Sequence, residues 1–433
     1  MQPKRRSKVI KSTKRKVSQS SRHWIYVLLF LLFSGFLSYK GWDGHFGSAL
    51  TRVILALMLP YILFKYNSFP HTPIMRLAFL LMCVPFLSIF SCYIAHGQSM
   101  LDTFIVTFHM CGYLILPLMY LLKVEEKWLL RFCFLIGIFW AIVPLVQQFT
   151  WPTYWFATRG ENEETGEPEM RNGIIRYAVA GTTQGLIMLF YALQSYLETN
   201  KRKWLVWMLV GLVGVYMTCT RQVMAASIGC IFVGLFIKGK IRIGALVGFL
   251  VVGLIIYFNA DALLGEYIEM TERDTSNDEY VRILAYRFYG WEYSDGDPLL
   301  LLLGNGIARQ EHNLAFAKDL EHAAFELGFY YVDVGWAGLF FLYGAVFIAV
   351  MLAFYWYVFR NRKDIPLYLL LYVLYMFVTQ IMLFHFDRGV AFGIVTVMYL
   401  MDLSIRRSRE LSAQATPAEQ AEEEAEEVVA ETS

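Results

Sequence analysis

Long apolar segments follow one another along this chain, separated by short charged connections. Hydrophobic residues make up 57% of the 433 positions and charged residues only 17%, and the mean hydropathy is +0.45. One soluble core cannot hide so much apolar surface, whereas a helix of about 20 mainly apolar residues crosses the roughly 30 Å hydrocarbon layer of a bilayer. The sequence therefore predicts an all-α polytopic membrane protein.

About twelve of these segments are long enough to cross a bilayer. They cover residues 24–40, 48–66, 75–96, 103–122, 128–150, 177–197, 203–219, 221–238, 241–258, 334–358, 364–385 and 389–404. A long polar connection, residues 259–333, separates the ninth segment from the tenth. We therefore expect about twelve transmembrane helices with one long extracytoplasmic loop between spans 9 and 10.

The basic residues of the connections predict the orientation in the membrane. Lysine and arginine are concentrated in the N-terminal tail, residues 1–23, and at residues 65–76, 123–131, 201–203, 238–242, 360–363 and 406–409. Because cytoplasmic connections carry an excess of these residues, both termini are expected in the cytoplasm. The basic tail is then a membrane anchor rather than a nucleic-acid-binding segment. Helices fill residues 24–258 and 334–404, and the acidic tail, 405–433, is expected to be disordered.

Residues 203–238 are apolar without a real loop. A single helix of this length would be about 54 Å long, nearly twice the hydrocarbon thickness. It would also place the basic residues at its two ends on opposite sides of the membrane. A hairpin with its tip at residues 218–221 removes both difficulties. Arg221 is then expected at the outer membrane edge, either as a functional residue or as an arginine that snorkels to the interface.

The outer side collects most of the remaining charge, which makes an active site facing away from the cytoplasm the first hypothesis. Residues 278–293 read as an amphipathic helix, with Arg282 and Arg287 as its cations. This helix either binds substrate or lies on lipid headgroups. The following leucine run, 299–303, is too short to span a membrane, and Gly304 and Gly306 predict a tight turn with a close backbone approach.

Several common catalytic patterns are missing from the sequence. It contains no Walker A, HExxH or GxSxG motif, and its six cysteines show no CxxC spacing. We therefore expect no metal, no cofactor, no disulfide framework and no ATP-driven pump.

The order of the remaining features resembles the O-antigen ligase/polymerase superfamily over roughly residues 170–360. The matching positions are Thr218 and Arg221 at the tip, Arg282, Pro298 with Gly304 and Gly306, His322, and Gly335 with Gly338. Each motif alone is weak, and the ordered set carries the resemblance. Two features depart from the family pattern: the spacing from proline to glycine is longer than the compact form of ligases, and a His-Asn pair occurs early, at His312.

The resemblance implies transfer of a glycan from a polyprenyl diphosphate carrier to an acceptor hydroxyl at the outer face of the bacterial cytoplasmic membrane. It assigns the diphosphate to Arg221 and Arg282, because guanidinium groups bind phosphate bidentately. The base that deprotonates the acceptor hydroxyl is expected to be His322, with Glu326 and Asp333 as alternatives. Further substrate-binding candidates are Arg176, Arg287, Arg309, His312 and Arg388. His312 is also an alternative base, and either histidine could be an ordinary exposed loop residue.

Three functions remain open at this point: a polymerase, a ligase with a lipid or protein acceptor, and a flippase of lipid-linked oligosaccharides. The spacing from His322 to Gly335 resembles the polymerase branch. Transporters place ionisable residues near the bilayer midplane, whereas the predicted midplanes here are apolar. The expected partners are the carrier-linked glycan, a sugar acceptor, membrane lipid and a chain-length regulator, with no nucleic acid.

Overall fold

The computed structural model describes residues 22–34, 44–153, 174–239, 281–309, 315–383 and 388–414, together with 155–156, 158, 168 and 170–171. At residues 44–48, 171 and 388–390 it describes the backbone only. The ninth predicted span, 241–258, and the first part of the predicted loop, 259–280, lie outside these residues, as does the acidic tail beyond residue 414.

The described chain is mostly helical. Its helices are α1 (Arg22–Phe33), α2 (Gly44–Phe64), α3 (Pro73–Cys83), α4 (Ser88–His96), α5 (Met100–Thr107), α6 (Ile115–Leu122), α7 (Glu126–Thr150), α8 (Thr182–Thr199), α9 (Lys203–Met217), α10 (Arg221–Ile237), α11 (Val281–Arg287), α12 (Pro298–Leu303), α13 (Ala315–Phe325), α14 (Gly335–Arg360), α15 (Leu367–Thr379) and α16 (Arg388–Gln414). Short 3-10 segments join α3 to α4 and α5 to α6, and a π-helical turn, Phe288–Glu292, follows α11. A two-stranded antiparallel sheet pairs β1 (Met170–Arg171) with β2 (Ile174–Ile175).

Four helical segments are long and apolar enough to cross a membrane: Pro73–His96, Met100–Leu122, Glu126–Thr150 and Gly335–Arg360. Further apolar helices, among them α9, α10 and α15, are shorter than this criterion requires. A mostly helical chain with helices able to span a membrane is therefore confirmed. The count of about twelve spans and the single long loop stay predictions.

Small residues bring α7, α8 and α9 into close contact around one tryptophan. A Cβ atom added to Gly185 would lie 2.1 Å from the Trp140 ring, and one added to Gly214 would lie 2.3 Å from the same ring. Helices that lack side chains at such points approach closely, and dispersion between their surfaces replaces the missing hydrophobic drive inside a membrane. These three helices form one closely packed layer of the bundle.

The predicted hairpin in residues 203–238 is confirmed. Helix α9 ends at Met217 and α10 begins at Arg221, and Cys219 between them has a left-handed φ of 48°. Gly211 of α9 lies against Leu189 of α8, and Gly234 of α10 lies against Leu193, also of α8. One straight helix could not bring both glycines to nearly the same level of α8, so the chain reverses at the tip. Because α8 is shared, both arms of the hairpin pack on one helix.

Polar contacts gather several connections at one end of the helix bundle. Arg407 pairs with Glu126, the Arg409 guanidinium donates to the Asn361 side chain at 3.0 Å, and Ser408 donates to Asp364 at 2.6 Å. The start of α7, the segment after α14 and the end of α16 therefore meet.

At the opposite end, the start of α10 meets the end of α15 and the start of α14. The Gln222 amide nitrogen lies 2.8 Å from the Met382 sulfur. A Cβ atom on Gly335 would lie 1.8 Å from the Gln380 carbonyl oxygen, so the backbones of these two helix ends touch. The residues predicted to be functional are concentrated near this end.

Two glutamines fold the chain after α7 back over the end of that helix. The buried Gln147 side-chain oxygen accepts hydrogen bonds from the backbone N–H groups of Trp155 and Phe156, at 2.8 and 2.9 Å. The Gln148 side-chain amide donates to the Ile175 carbonyl at 2.7 Å and accepts from the Ile175 N–H at 3.0 Å. These hydrogen bonds from the glutamine side chains satisfy backbone N–H and C=O groups as a neighbouring strand would. They also place Arg176, the next residue, beside the end of α7.

Candidate functional site

The short helix α12 leads into the two glycines singled out from the sequence. The Asp297 carboxylate caps its start by accepting from the Leu299 N–H at 2.8 Å, and the helix ends after six residues. Gly304 and Gly306 follow with φ angles of 85° and 75°. Only glycine adopts this region readily, so the predicted tight turn is confirmed.

This turn docks into an interruption of α14. Gly344 has φ 72° and ψ −178°, which breaks the helix in its middle. A helix interruption leaves carbonyl groups of the preceding turn without their usual donors. Here the Asn305 backbone N–H donates to the Phe341 carbonyl at 2.7 Å, and the Gly306 N–H donates to the Leu342 carbonyl at 2.9 Å.

The two backbones touch at this junction. A Cβ atom on Gly304 would lie 2.3 Å from the Leu342 carbonyl oxygen, and one on Gly344 would lie 2.3 Å from the Leu302 carbonyl oxygen. Ser91 of α4 closes the third side by donating to the Gly304 carbonyl at 2.5 Å. The segment that carries the predicted site is thus fixed to the membrane helices by backbone contacts.

A buried amide and an ion pair hold the chain after the turn. The Gln98 side chain accepts from the Arg309 backbone N–H at 2.8 Å and donates to the Ile307 carbonyl at 2.9 Å. Arg309 Nη1 lies 2.5 Å from Asp102 Oδ1, and the two side chains are only 22% and 11% exposed. Arg309 was predicted to bind substrate, but a partly buried carboxylate already holds its charge. The contact favours a structural role.

We expect Asp102→Ala to lower the free energy of unfolding by on the order of 3 kcal/mol, because it leaves the Arg309 guanidinium partly buried and without this counter-charge. The measurement is thermal unfolding of the detergent-purified protein. The double variant Asp102→Ala/Arg309→Met removes both charges and should recover part of the loss. A double variant as unstable as the sum of the two single variants would contradict this coupling.

His322 and Glu326 form a pair one helical turn apart. His322 Nδ1 lies 3.1 Å from Glu326 Oε2, and the side chains are 59% and 68% exposed. The pair carries opposite charges only when the histidine is protonated. This arrangement suits the predicted roles of base and supporting carboxylate, although solvent reaches both groups.

A cleft of about 360 Å³ opens between α13 and the segment before α14. Its lining is mostly apolar and aromatic, and consists of Tyr289, Ile307, Ala308, Ala317, Leu320, Glu321, Ala324, Phe325, Phe329, Tyr330, Tyr331 and Val332. Tyr331 also lies against the start of α14, since a Cβ atom on Gly338 would be 2.0 Å from its carbonyl oxygen. The cleft therefore sits at the end of the bundle where α10 and α14 begin.

Burial fixes the protonation of the tyrosines in this region. It raises the pKa of Tyr289 and of Tyr331 above the ordinary value for a phenol. The Tyr289 hydroxyl donates to the Phe329 carbonyl at 2.7 Å. The hydroxyls of Tyr289 and Tyr331 therefore stay protonated at neutral pH.

The predicted helix around Arg282 is confirmed over residues 281–292, but one of its aromatic side chains is buried rather than exposed. Ile283 and Trp291 are exposed, as an interfacial helix requires, but Tyr289 is 1% exposed and packs on Phe341. Tyr289 is therefore a core residue rather than an interfacial one. Arg282 is half-buried on the same helix.

Arg221 is exposed at the first position of α10. The side chain of Thr220 does not cap this helix, and its hydroxyl donates to the Thr218 carbonyl at 3.1 Å. A helix start carries partial positive charge on its N–H groups. A guanidinium and a helix start thus add their positive fields at one place, which is the electrostatic requirement for an anion site.

The other predicted residues are spread over several elements. Arg287 is exposed and pairs with Glu292 at 2.6 Å, Arg176 is half-buried after β2, and Asp333 is exposed just before α14. Arg388 begins α16, but its side chain lies outside the described residues, and so does the whole of His312. Within the described ranges, no group of three or more His, Cys, Asp or Glu residues could hold a metal ion.

Sequence reasoning missed four polar residues that the structure brings together: His96, Gln98, Asp102 and Asn305. The first three lie at the ends of apolar segments, and Asn305 lies between two glycines. A polar residue in such a place is a usable signal, because it needs a partner once buried. Its partner, however, is about two hundred positions away in the chain, as in the pair of His96 with Asn305.

Comparison with known proteins does not assign the chain to a family. No model of a known protein family matches it, and no curated protein matches it. The candidate site therefore rests on its own residues.

Proposed function

We propose that this chain is a bacterial membrane glycosyltransferase that polymerises polyprenyl-diphosphate-linked oligosaccharide units at the outer face of the cytoplasmic membrane. The observation that supports the proposal is that α10, which begins at Arg221, starts beside the end of α15 and the start of α14, the helix end against which Tyr331 of the cleft lies. A phosphate-binding group and a base are the two functions that such a transfer requires.

The orientation follows from the charges at the two ends. Arg407 and Arg409, with their partners Glu126 and Asn361, lie at the end opposite to Arg221. Basic residues favour the cytoplasmic side. About twelve helices, cytoplasmic termini and an extracytoplasmic site are therefore part of the proposal.

In the reaction, the acceptor hydroxyl oxygen attacks the anomeric carbon of the donor sugar. The bond between that carbon and the diphosphate oxygen breaks, and its electron pair leaves with the diphosphate. Arg221 and Arg282 stabilise the charge that develops there. The acceptor's proton passes to a basic side chain at this end of the bundle. In-line displacement inverts the anomeric centre.

A diphosphate is already a good leaving group, so the proposed reaction demands neither a metal nor a strong acid. The same residues would serve a ligase, because a ligase differs only in its acceptor. A flippase would instead need ionisable groups along a path through the bilayer. Four ion pairs, Arg287–Glu292, Arg309–Asp102, His322–Glu326 and Arg407–Glu126, lie in short helices and connections or at a helix end, which supports surface chemistry.

The test is a gene deletion followed by electrophoresis of the surface glycans. We expect single-repeat products, with long chains restored by the wild-type gene on a plasmid. Full-length chains stranded on the carrier would indicate a ligase instead, and repeats trapped inside the cell would indicate a flippase. An unchanged glycan profile would remove the proposed function altogether.

A further inference from the structure

A histidine that the sequence did not single out is held more firmly than His322. His96 ends α4, and its ring stacks on Phe316 of α13 with centroids 4.0 Å apart and planes 5° apart. Its Nε2 atom lies 2.9 Å from the side-chain oxygen of Asn305. The ring is thus fixed by one aromatic face and one hydrogen bond from two separate parts of the chain.

The geometry around Asn305 determines which ring nitrogen carries the proton. Asn305 is fully buried, and its amide nitrogen lies 3.1 Å from the Phe341 carbonyl and 3.2 Å from the Ser294 hydroxyl. A carbonyl only accepts, so the amide nitrogen must face Phe341 and the amide oxygen must face His96. His96 Nε2 therefore donates to Asn305, and Nδ1 is the acceptor in the neutral ring.

His96 Nδ1 is available for a substrate. It has no hydrogen-bond partner among the described residues, and the side chain is partly exposed. Ala317 and Leu320, on the same helix as Phe316, line the cleft.

The supporting residues are themselves fixed. Asn305 lies between the two glycines that dock on the interrupted α14, and its backbone N–H donates to the Phe341 carbonyl at 2.7 Å. Catalytic groups work best when packing and second hydrogen bonds hold them in one geometry. In contrast, His322 is oriented by a single carboxylate that is 68% exposed. Water competes for such a contact and weakens it.

We infer that His96, oriented by Asn305 and Phe316, is the proton acceptor for the attacking sugar hydroxyl, and that His322 is not required for this step. The inference rests on the proposed function. As the hydroxyl oxygen bonds to the anomeric carbon, its proton moves to Nδ1 of His96, and the diphosphate leaves with the electron pair of the broken bond. Atoms and charge balance without a further reactant.

The experiment compares His96→Gln with His322→Ala in the deletion strain, by the amount of polymer relative to single-repeat product. A glutamine keeps an amide N–H for Asn305 but has no group that takes up a proton, so the variant should reach the membrane and lose polymer by at least about 100-fold. His322→Ala should keep polymer within a few-fold of wild type. Immunoblotting of membranes and thermal unfolding of the purified variants establish that both proteins are folded.

Two results would overturn the inference: wild-type polymer in His96→Gln, or a loss in His322→Ala as large as that in His96→Gln. The conservative Phe316→Leu variant removes the stacking face and leaves Nδ1 in place. It should reduce the rate and shift its pH profile, an effect that a merely structural contact would not produce. The proposed function fails separately, if deletion of the gene leaves the glycan profile unchanged.

Discussion

Arg221→Ala should lower polymer formation by about 100-fold to 1,000-fold, the range seen when one group that stabilises a developing oxyanion is removed. The side chain stands at the uncapped start of α10, where the N–H groups of the helix add to its positive field. The diphosphate acquires charge only as the sugar departs. The loss is therefore expected in the rate of transfer, with the protein still folded in the membrane.

Arg287→Ala is the matched control for this variant. Arg287 is also an exposed arginine in a predicted outer segment, and its guanidinium lies 2.6 Å from the Glu292 carboxylate of the π-helical turn that follows α11. The control should stay within a few-fold of wild-type polymer. Arg221→Lys should fall between the two, because lysine keeps the charge and loses the bidentate geometry. Wild-type chain lengths in Arg221→Ala would remove this residue from the mechanism.

Local sequence patterns were sufficient for the mostly helical character of the chain and for two of the turns. The length of residues 203–238 and the basic residues at both ends predicted a hairpin, and the chain reverses at Cys219. Two glycines after a leucine run predicted the tight turn at Gly304 and Gly306. Both inferences needed only distances along the chain and the backbone freedom of glycine.

The contacts that organise the candidate site could not be predicted in this way. Asp102 meets Arg309 across 207 positions, and His96 meets Asn305 across 209. Neither the hydrophobic periodicity nor the composition of the segments that carry Asp102 and His96 specifies which distant residue each one contacts. Tyr289 shows the same limit: its residue type suits an interface, but tertiary packing against Phe341 buries it.

The interruption of α14 at Gly344 is a second feature without a local signal. The helix is apolar along its whole length and contains several other small residues. Backbone atoms of other segments also press against Gly335 and Gly338, and Gly344 differs from them in its φ of 72°, which breaks the helix where Leu302 and Gly304 approach. A break in a membrane helix is tolerated where other groups satisfy the freed backbone atoms. Here Asn305 and Gly306 supply those groups, so the break and the turn depend on each other.

Gly344→Ala should therefore destabilise the protein by on the order of 3 kcal/mol, since φ 72° with ψ −178° lies in a region essentially restricted to glycine. A Cβ atom at this position would also lie 2.3 Å from the Leu302 carbonyl oxygen, which is part of a backbone and cannot move aside cheaply. Alanine favours an unbroken helix, which would withdraw the Phe341 and Leu342 carbonyls from Asn305 and Gly306. Polymer formation should fall with stability, because Asn305 orients His96.

Gly229→Ala provides the control for this substitution. Gly229 lies within α10, and a Cβ atom there would meet nothing within 4 Å. Removing a glycine from an open helix position should stabilise the protein by up to about 1 kcal/mol. Thermal unfolding of the two purified variants, with limited proteolysis of the segment that contains α11 to α13, measures both effects. A Gly344→Ala protein that is as stable and as protease-resistant as Gly229→Ala would show that the α14 interruption does not hold the site.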